Sequence, residues 1–445
     1  MIKYKDSPDS IVSELLLWRE TPTQVTIKDT FNVKVHPVTS LYNDGTINFD
    51  IPSQPKGLIS NVEIVTSFKV KKGDIALTAE DSVSIANNFA NALWELVDVK
   101  IGDRVDLMQS MRNSYAYLTF FNYVLNSDAN REDYLFSTQL FKMDSGVTKE
   151  DSEVMEFSGD SVKNKGAADR SKRIARSKSL TVCSRLHCPL LTNSKALPPN
   201  MKIRVSLTKN NDKFLLLSSN EGYKVHVEDV YLSVTYITPY DYFLSMIEER
   251  LLKQPAPYFV TRPEIIIKPI SEQGRVVRVN NVFSHGKIPK LAFFCVQRSK
   301  DFEGSFDTNP FTFIPFSKFQ FYIDGSAYFN DALEMQYTTL DDDKVYSENV
   351  NFISQLYKTI GKDLKGCGLI SSKNFQQNFM VALSLTGDRA SASAPYLNPQ
   401  FEAATQLEID FGYDTNVRDD LILIIYAIYD RVIKIAADRS VEIIE

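Results

Sequence analysis

NPFTFIPFSKFQFYIDGSAYF (residues 309–329) holds six Phe and two Tyr in one short window. Pro310 and Pro315 each remove a backbone donor and interrupt any helical ladder. Beyond them Phe319, Phe321 and Ile323 alternate with Gln320, Tyr322 and Asp324, the period of a half-buried strand. Asp324-Gly325 then supplies a tight-turn dipeptide. An aromatic strand closed by such a turn suits a β-sandwich core. The stretch has no His or Cys and a single acid, Asp324, so its residues suit packing and not catalysis.

Strand patterns surround it. Before residue 240 they read VTIKDTFNVKV, TINFDIP, VEIVTSFKVKK, LWELVDVKIGDRVDL, SLTVCSRLHCPLL, MKIRVSLT and YKVHVEDVYLSVTYI. After 258 they read PEIIIKPI, GRVVRVNNV, KLAFFCVQ, FMVALSLT, ATQLEIDFGY and LILIIYAIYDRVIKIA. The run 421–428 has the length of a fully buried strand. Helical spacing is confined to a few segments. Residues 81–93 carry a stripe of Val83, Ile85, Phe89 and Leu93, and residues 113–125 one of Tyr117, Phe120, Phe121 and Val124. Residues 240–252 place Phe243, Ile247 and Leu251 on one side before Pro255 and Pro257. The expected organisation is an N-terminal arm over 1–23, a first β domain over 24–239, a linker helix over 240–257 and a second β domain over 258–445. The fold class is all-β, with short helices in loops and linker.

Two segments stand apart. Residues 9–20 form an expected amphipathic helix with Ile11, Leu15 and Trp18 on one face. With Leu16 these make an apolar cluster, an expected assembly tether that packs equally well on its own domain. Residues 143–179 are polar, with an acidic half and a basic half. They read as a long exposed loop that presents Lys163, Lys165, Arg170, Lys172, Arg173, Arg176 and Lys178.

Composition narrows the function. The chain has 445 residues, 43% hydrophobic and 24% charged, ordinary for a globular protein with a sizeable core. A net charge of −6 argues against a protein that coats nucleic acid, and no sequence-specific nucleic-acid binding is expected. Four cysteines (Cys183, Cys188, Cys295 and Cys367) are too few for a disulfide scaffold and suit a reducing compartment. No secretory leader is expected, and no apolar run reaches the ~18 residues of a membrane-spanning helix.

No motif carries chemistry. Cys183, His187 and Cys188 are three candidates in one strand-like stretch, short of the paired spacing of a zinc site. There is no GxSxG elbow, and residues 361–366 lack the GKS/T order of a P-loop. Asp341 to Asp343 lack the alternate acids and central Gly of an EF-hand. No catalytic residue, cofactor or metal is expected, and the chain reads as no enzyme. A carbohydrate-binding or glycosidase-like β-sandwich stays as an alternative, since such proteins hide their carboxylates among scattered acids.

In order along the chain, several segments resemble the double jelly-roll (hexon-like) major capsid proteins of polinton/Maverick elements and adintoviruses. They are NALWELVDVKIGDRV (91–105), SYAYLTFFNYVLN (114–126) with YLFSTQLF (134–141), SRLHCPLLTNSKALPPNMKIRVSLTKNNDKFLL (184–216), FFCVQRSKDFEGSFDTNPFTF (293–313) and LILIIYAIYDRVIKIAADRSV (421–441). The resemblance implies two tandem jelly rolls, each an eight-stranded β-sandwich. It implies a homotrimer with a pseudo-hexagonal outline that tiles an icosahedral shell in the virion, contacting neighbouring capsomers and penton and minor capsid proteins. A minor or vertex capsid protein is the other reading within this class. Whether a membrane lies beneath the shell is left open.

Overall fold

The computed structural model describes residues 22–39, 45–102, 105–145, 153–158, 162–270, 274–283, 286–340, 344–348, 350–361, 368–371, 374–389, 397–412 and 420–444. Ile11, Leu15, Leu16 and Trp18 lie outside the described residues, as do Asp341 to Asp343.

The first half contributes eight principal strands: β1 (Ile27–Val35), β2 (Thr46–Ile51), β3 (Leu58–Lys72), β4 (Trp94–Ile101), β5 (Val105–Gln109), β6 (Leu180–Arg185), β7 (Ile203–Lys209) and β8 (Tyr223–Pro239). They pair antiparallel in two sheets, β1-β8-β3-β6 and β2-β7-β4-β5. The second half contributes β9 (Ala256–Ile270), β10 (Val276–Asn280), β11 (Leu291–Arg298), β12 (Lys318–Ile323), β13 (Val381–Ser384), β14 (Thr405–Asp410) and β15 (Leu421–Ile435). Its sheets are β9-β15-β11-β13 and β10-β14-β12, the latter extended by two-residue strands at Ser326–Ala327 and Leu333–Glu334. Counted with those fragments as the fifth strand, both halves share one connectivity, 1-8-3-6 against 2-7-4-5. That is the double Greek key of a jelly roll. A last strand, β16 (Val441–Ile444), adds to β15.

The strands form where the alternation is strongest. Along β7 Ile203, Val205 and Leu207 are buried while Arg204 is exposed. The opening stretch makes β12, with Phe319 and Phe321 fully buried. Gln320 is buried too, because its side-chain amide donates to the Phe329 carbonyl at 2.9 Å. Asp324 (φ 48°) and Gly325 (φ 78°) are both left-handed and close a two-residue hairpin with Ile323 opposite Ser326. The aspartate-glycine pair suits that turn because neither needs the right-handed region.

Helices occupy the links. The chain between β5 and β6 carries α1 (Ser114–Asn126), α2 (Ala129–Gln139) and α3 (Lys165–Ile174). The linker helix is α4 (Asp241–Lys253), and α5 (Val350–Thr359) lies between β12 and β13. Among the described residues no helix is long and apolar enough to cross a membrane.

Two expectations are overturned here. Residues 81–93 are not a helix: Ser84 and Ile85 pair with Leu216 and Leu217 as strands, and only Phe89–Ala92 makes one helical turn. Asn87 and Asn88 divide the segment. Asn88 is left-handed at φ 54°, and the Asn87 side chain accepts from the backbone N–H of Asn88 and of Lys142. Such side-chain bonds compete with a helical ladder. Residues 143–179 are not one exposed loop either, because α3 runs through the basic half. Gly166 presses on residue 143 so closely that a Cβ there would sit 2.4 Å from the Met143 carbonyl oxygen. Ala167 and Ala168 continue the small face. Lys163, Lys165, Lys172, Arg173, Arg176 and Lys178 are exposed, but Arg170 is fully buried.

Candidate assembly surfaces

The seam between the two rolls is built by α1. Phe120 stacks on Phe311 at 4.7 Å between ring centroids, and Phe121 stacks on Phe313 at 5.6 Å and on Tyr426 at 5.4 Å. Tyr117 stacks on Phe302 at 5.3 Å, and its hydroxyl lies 2.8 Å from the Pro310 carbonyl. Gly304, at φ 91°, lets the second roll approach Phe214 of the first. A Cβ there would meet the Phe214 Cα at 2.6 Å. The opening stretch therefore divides: Phe319 and Phe321 fill the second roll, while Phe311 and Phe313 grip the first. The consequence for β15 is that Leu421 to Ala427 are buried on both faces, one by the core and one by the seam.

Beside the rings lies a buried polar knot. The Arg170 guanidinium donates to the Ile85 carbonyl at 2.9 Å, to the Lys142 carbonyl at 2.6 Å and to the Asp144 carboxylate at 2.6 Å. The other Asp144 oxygen accepts from the Asn309 amide at 2.8 Å. Gln377 donates to the Asp144 carbonyl at 3.1 Å. Two charges out of water are tolerable only with such full pairing. The knot ties α3 of the first roll to two separate segments of the second.

His187 sits at the edge of a cleft between the rolls, a cavity of about 440 Å³ lined also by Leu118, Asn122, Phe293 and Tyr426. Its Nδ1 lies 3.2 Å from the Asn122 amide nitrogen and its Nε2 lies 2.7 Å from the Tyr123 hydroxyl. An Asn N–H facing Nδ1 favours the neutral ring, and burial pushes its pKa down to about 4 from 6.5. The unfolded chain therefore binds the proton first. Stability is fully present above pH 6.5 and falls as pH drops toward 4. With discount for partial exposure the loss is about 2 kcal/mol. Urea unfolding followed between pH 7 and 4 reads it, and His187→Gln is expected to flatten that part of the profile. Cys183 and Cys188 do not join His187 as ligands. Cys188 is buried, and Cys183 is pushed up to about 12 by burial beside Glu63. No group of three candidate metal ligands occurs among the described residues.

The first roll's own outer face, on sheet β1-β8-β3-β6, is mostly exposed or half-buried among the described residues. Lys34, Ser233, Glu63 and Arg185 stand in one cross-strand row. In a neighbouring row Val65 lies opposite both Tyr231 and Cys183. Glu63, Arg185, Ser233, Tyr231 and Cys183 are half-buried, Lys34 is exposed and Val65 is buried, with three charges in the first row. The equivalent face of the second roll is the one sealed by α1.

No family model matches the chain. An uncharacterized protein of Caenorhabditis elegans, F54H12.2, is 24% identical over 186 residues, 40% of this chain. The chain spans 42% of that relative's length. Solved structures match far more of it. A chain of the Sputnik virophage superposes with TM-score 0.60 and 11% identity, covering 99% of this chain and 93% of its own. The mavirus major capsid protein gives TM-score 0.52 at 10% identity, covering 100% and 96%. The Faustovirus major capsid protein gives 0.55 at 8%, covering 95% and 92%. The fold is that of the double jelly-roll major capsid proteins. At these identities the likeness lies in shape, and the connectivity above is what it rests on.

Within this double jelly roll the expected basic residues do not act as one surface. Lys172 bonds Asp169 at 3.2 Å, Arg173 lies over the Phe136 ring at 5.7 Å, and Arg170 turns inward to the seam. A signal for Arg170 was present in the sequence. Ala167, Arg170 and Ile174 fall on one helical face. Nothing in residue spacing pointed to Asp144 as its partner, or to Asn309 and Gln377, which are remote in sequence.

Proposed function

We propose that the protein is the repeating subunit of an icosahedral virion, a major capsid protein of the polinton or adintovirus type that works as a homotrimer with a pseudo-hexagonal outline. The observation that carries this is the inequality of the two outer sheet faces. Within one chain, the helical insertion of the first roll seals the outer face of the second. Among the described residues the first roll's matching face has no such cover, although both rolls share one connectivity. A contact of this head-to-tail kind repeats from copy to copy and closes into a ring when the rotation allows. Six rolls from three copies would close it, with each second roll meeting the next copy's open face. Obligate interfaces of this kind bury more than about 2,000 Å².

Size-exclusion chromatography with light scattering tests it. The expected mass is that of three copies. Ser233→Arg, in the middle of the open face, is expected to yield a folded monomer with unchanged circular dichroism. A wild-type protein that stays monomeric at every concentration would sink the reading, and a pentamer would favour a vertex protein.

A further inference from the structure

Among the described residues, the end of the first roll that holds the linker helix carries an exposed apolar patch. Val25, Ile27, Tyr240, Tyr242 and Met246 are all exposed, Tyr242 at 67%. Strand and helix start adjoin here: Ile27 pairs with Pro239, and the Tyr240 N–H donates to the Thr26 carbonyl at 3.1 Å. Helix α4 buries a single residue, Leu251, and its opposite face presents Tyr242 and Met246. A water-exposed helix of this length gains little from propensity and normally depends on packing of its apolar face. The patch is rimmed by charge, with Lys56 paired to Asp241 at 2.8 Å, Lys253 to Glu249 at 2.6 Å and Arg439 to Glu248 at 2.6 Å. An apolar area with a polar rim marks a contact site.

We infer that the patch is the seat of the chain's own residues 9–20. The reach decides the occupant. The described chain starts at Pro22, next to the patch. From Gln24 back to Glu20 an extended chain spans at most about 13 Å. A helix over 9–20 would therefore start beside the patch and extend about 18 Å, close to the length of α4. Ile11, Leu15 and Trp18 supply the apolar stripe that the patch lacks, and Leu16 flanks it. This assigns the segment to its own subunit in place of a tether between subunits, and it holds whether or not the protein assembles into shells.

The chain has two tryptophans, Trp18 and Trp94. Trp94 is fully buried and its indole N–H has no hydrogen-bond partner among the described residues, so Trp94→Phe removes no such bond and leaves Trp18 as sole reporter. In that variant Trp18 emission is expected to be blue-shifted, shielded several-fold from acrylamide, and unchanged on dilution. Adding Tyr242→Glu with Met246→Glu is expected to abolish the shielding. A fully quenchable Trp18 at every concentration would overturn the inference. So would shielding lost on dilution, which points to a neighbouring copy, or shielding seen only with phosphatidylglycerol vesicles, which points to lipid. Unchanged far-ultraviolet circular dichroism of each variant guards against loss of fold. Light scattering on the same samples separates this result from the assembly reading: a monomer with shielded Trp18 loses the shell and keeps the docked segment.

Discussion

Arg170→Met is expected to cost about 3–5 kcal/mol of stability, because it strands the Asp144 carboxylate in the seam without its cation. Both side chains are out of water, at 0% and 5% exposure. The two carbonyls that the guanidinium satisfies, of Ile85 and Lys142, lose their partner in the same step. Urea denaturation measures the loss. The double variant Arg170→Met with Asp144→Leu is expected to recover part of it, since replacing a whole buried pair by apolar groups is often close to neutral. A single-variant loss under about 1 kcal/mol would mean that water reaches the carboxylate.

Phe321→Ala carries the second large effect, also about 3–5 kcal/mol for a buried large-to-small change. Its ring is fully buried and meets Phe283 at 5.9 Å and Phe294 at 5.7 Å, joining the two sheets of the second roll. Thermal unfolding by calorimetry reads the change. Ile323, two residues on, is only half-buried, so Ile323→Ala is expected to cost clearly less.

The strands were legible because alternation and aromatic content survive in almost every one of them. The tight turn at Asp324-Gly325 was legible for the same local reason. Two errors have one root. Val83, Ile85, Phe89 and Leu93 sit at helical spacing and are all buried, but Ile85 lies on a short strand and Phe89 in a single helical turn, with the side-chain bonds of Asn87 between them. The basic half of 143–179 looks solvated by composition, and one of its arginines is the most deeply held cation described. In both, a buried polar side chain outweighs the local pattern, and its partners come from distant parts of the chain. The same holds for the seam. Phe311 and Phe313 read as core of their own half, because residue spacing does not tell an intra-roll contact from an inter-roll one.

The strand order fixes a schedule for the nascent chain. In each roll the first strand pairs with the last: Ile27 lies opposite Pro239, and Ala256 lies opposite Ile435. Neither sheet can close until its final strand has been synthesised, and such long-range pairing is intrinsically slow. The first roll has all its strands once residue 239 has emerged. Its α1 rings and the Asp144 carboxylate then wait for Asn309, Phe311 and Phe313. During that interval Phe120 and Phe121 form a sticky, half-finished wall that another nascent copy could meet first. Cotranslational crowding on one message would therefore favour mispaired halves, and slow delivery or a holding chaperone would favour the correct partner, the ribosome's next seventy-odd residues, by simple proximity.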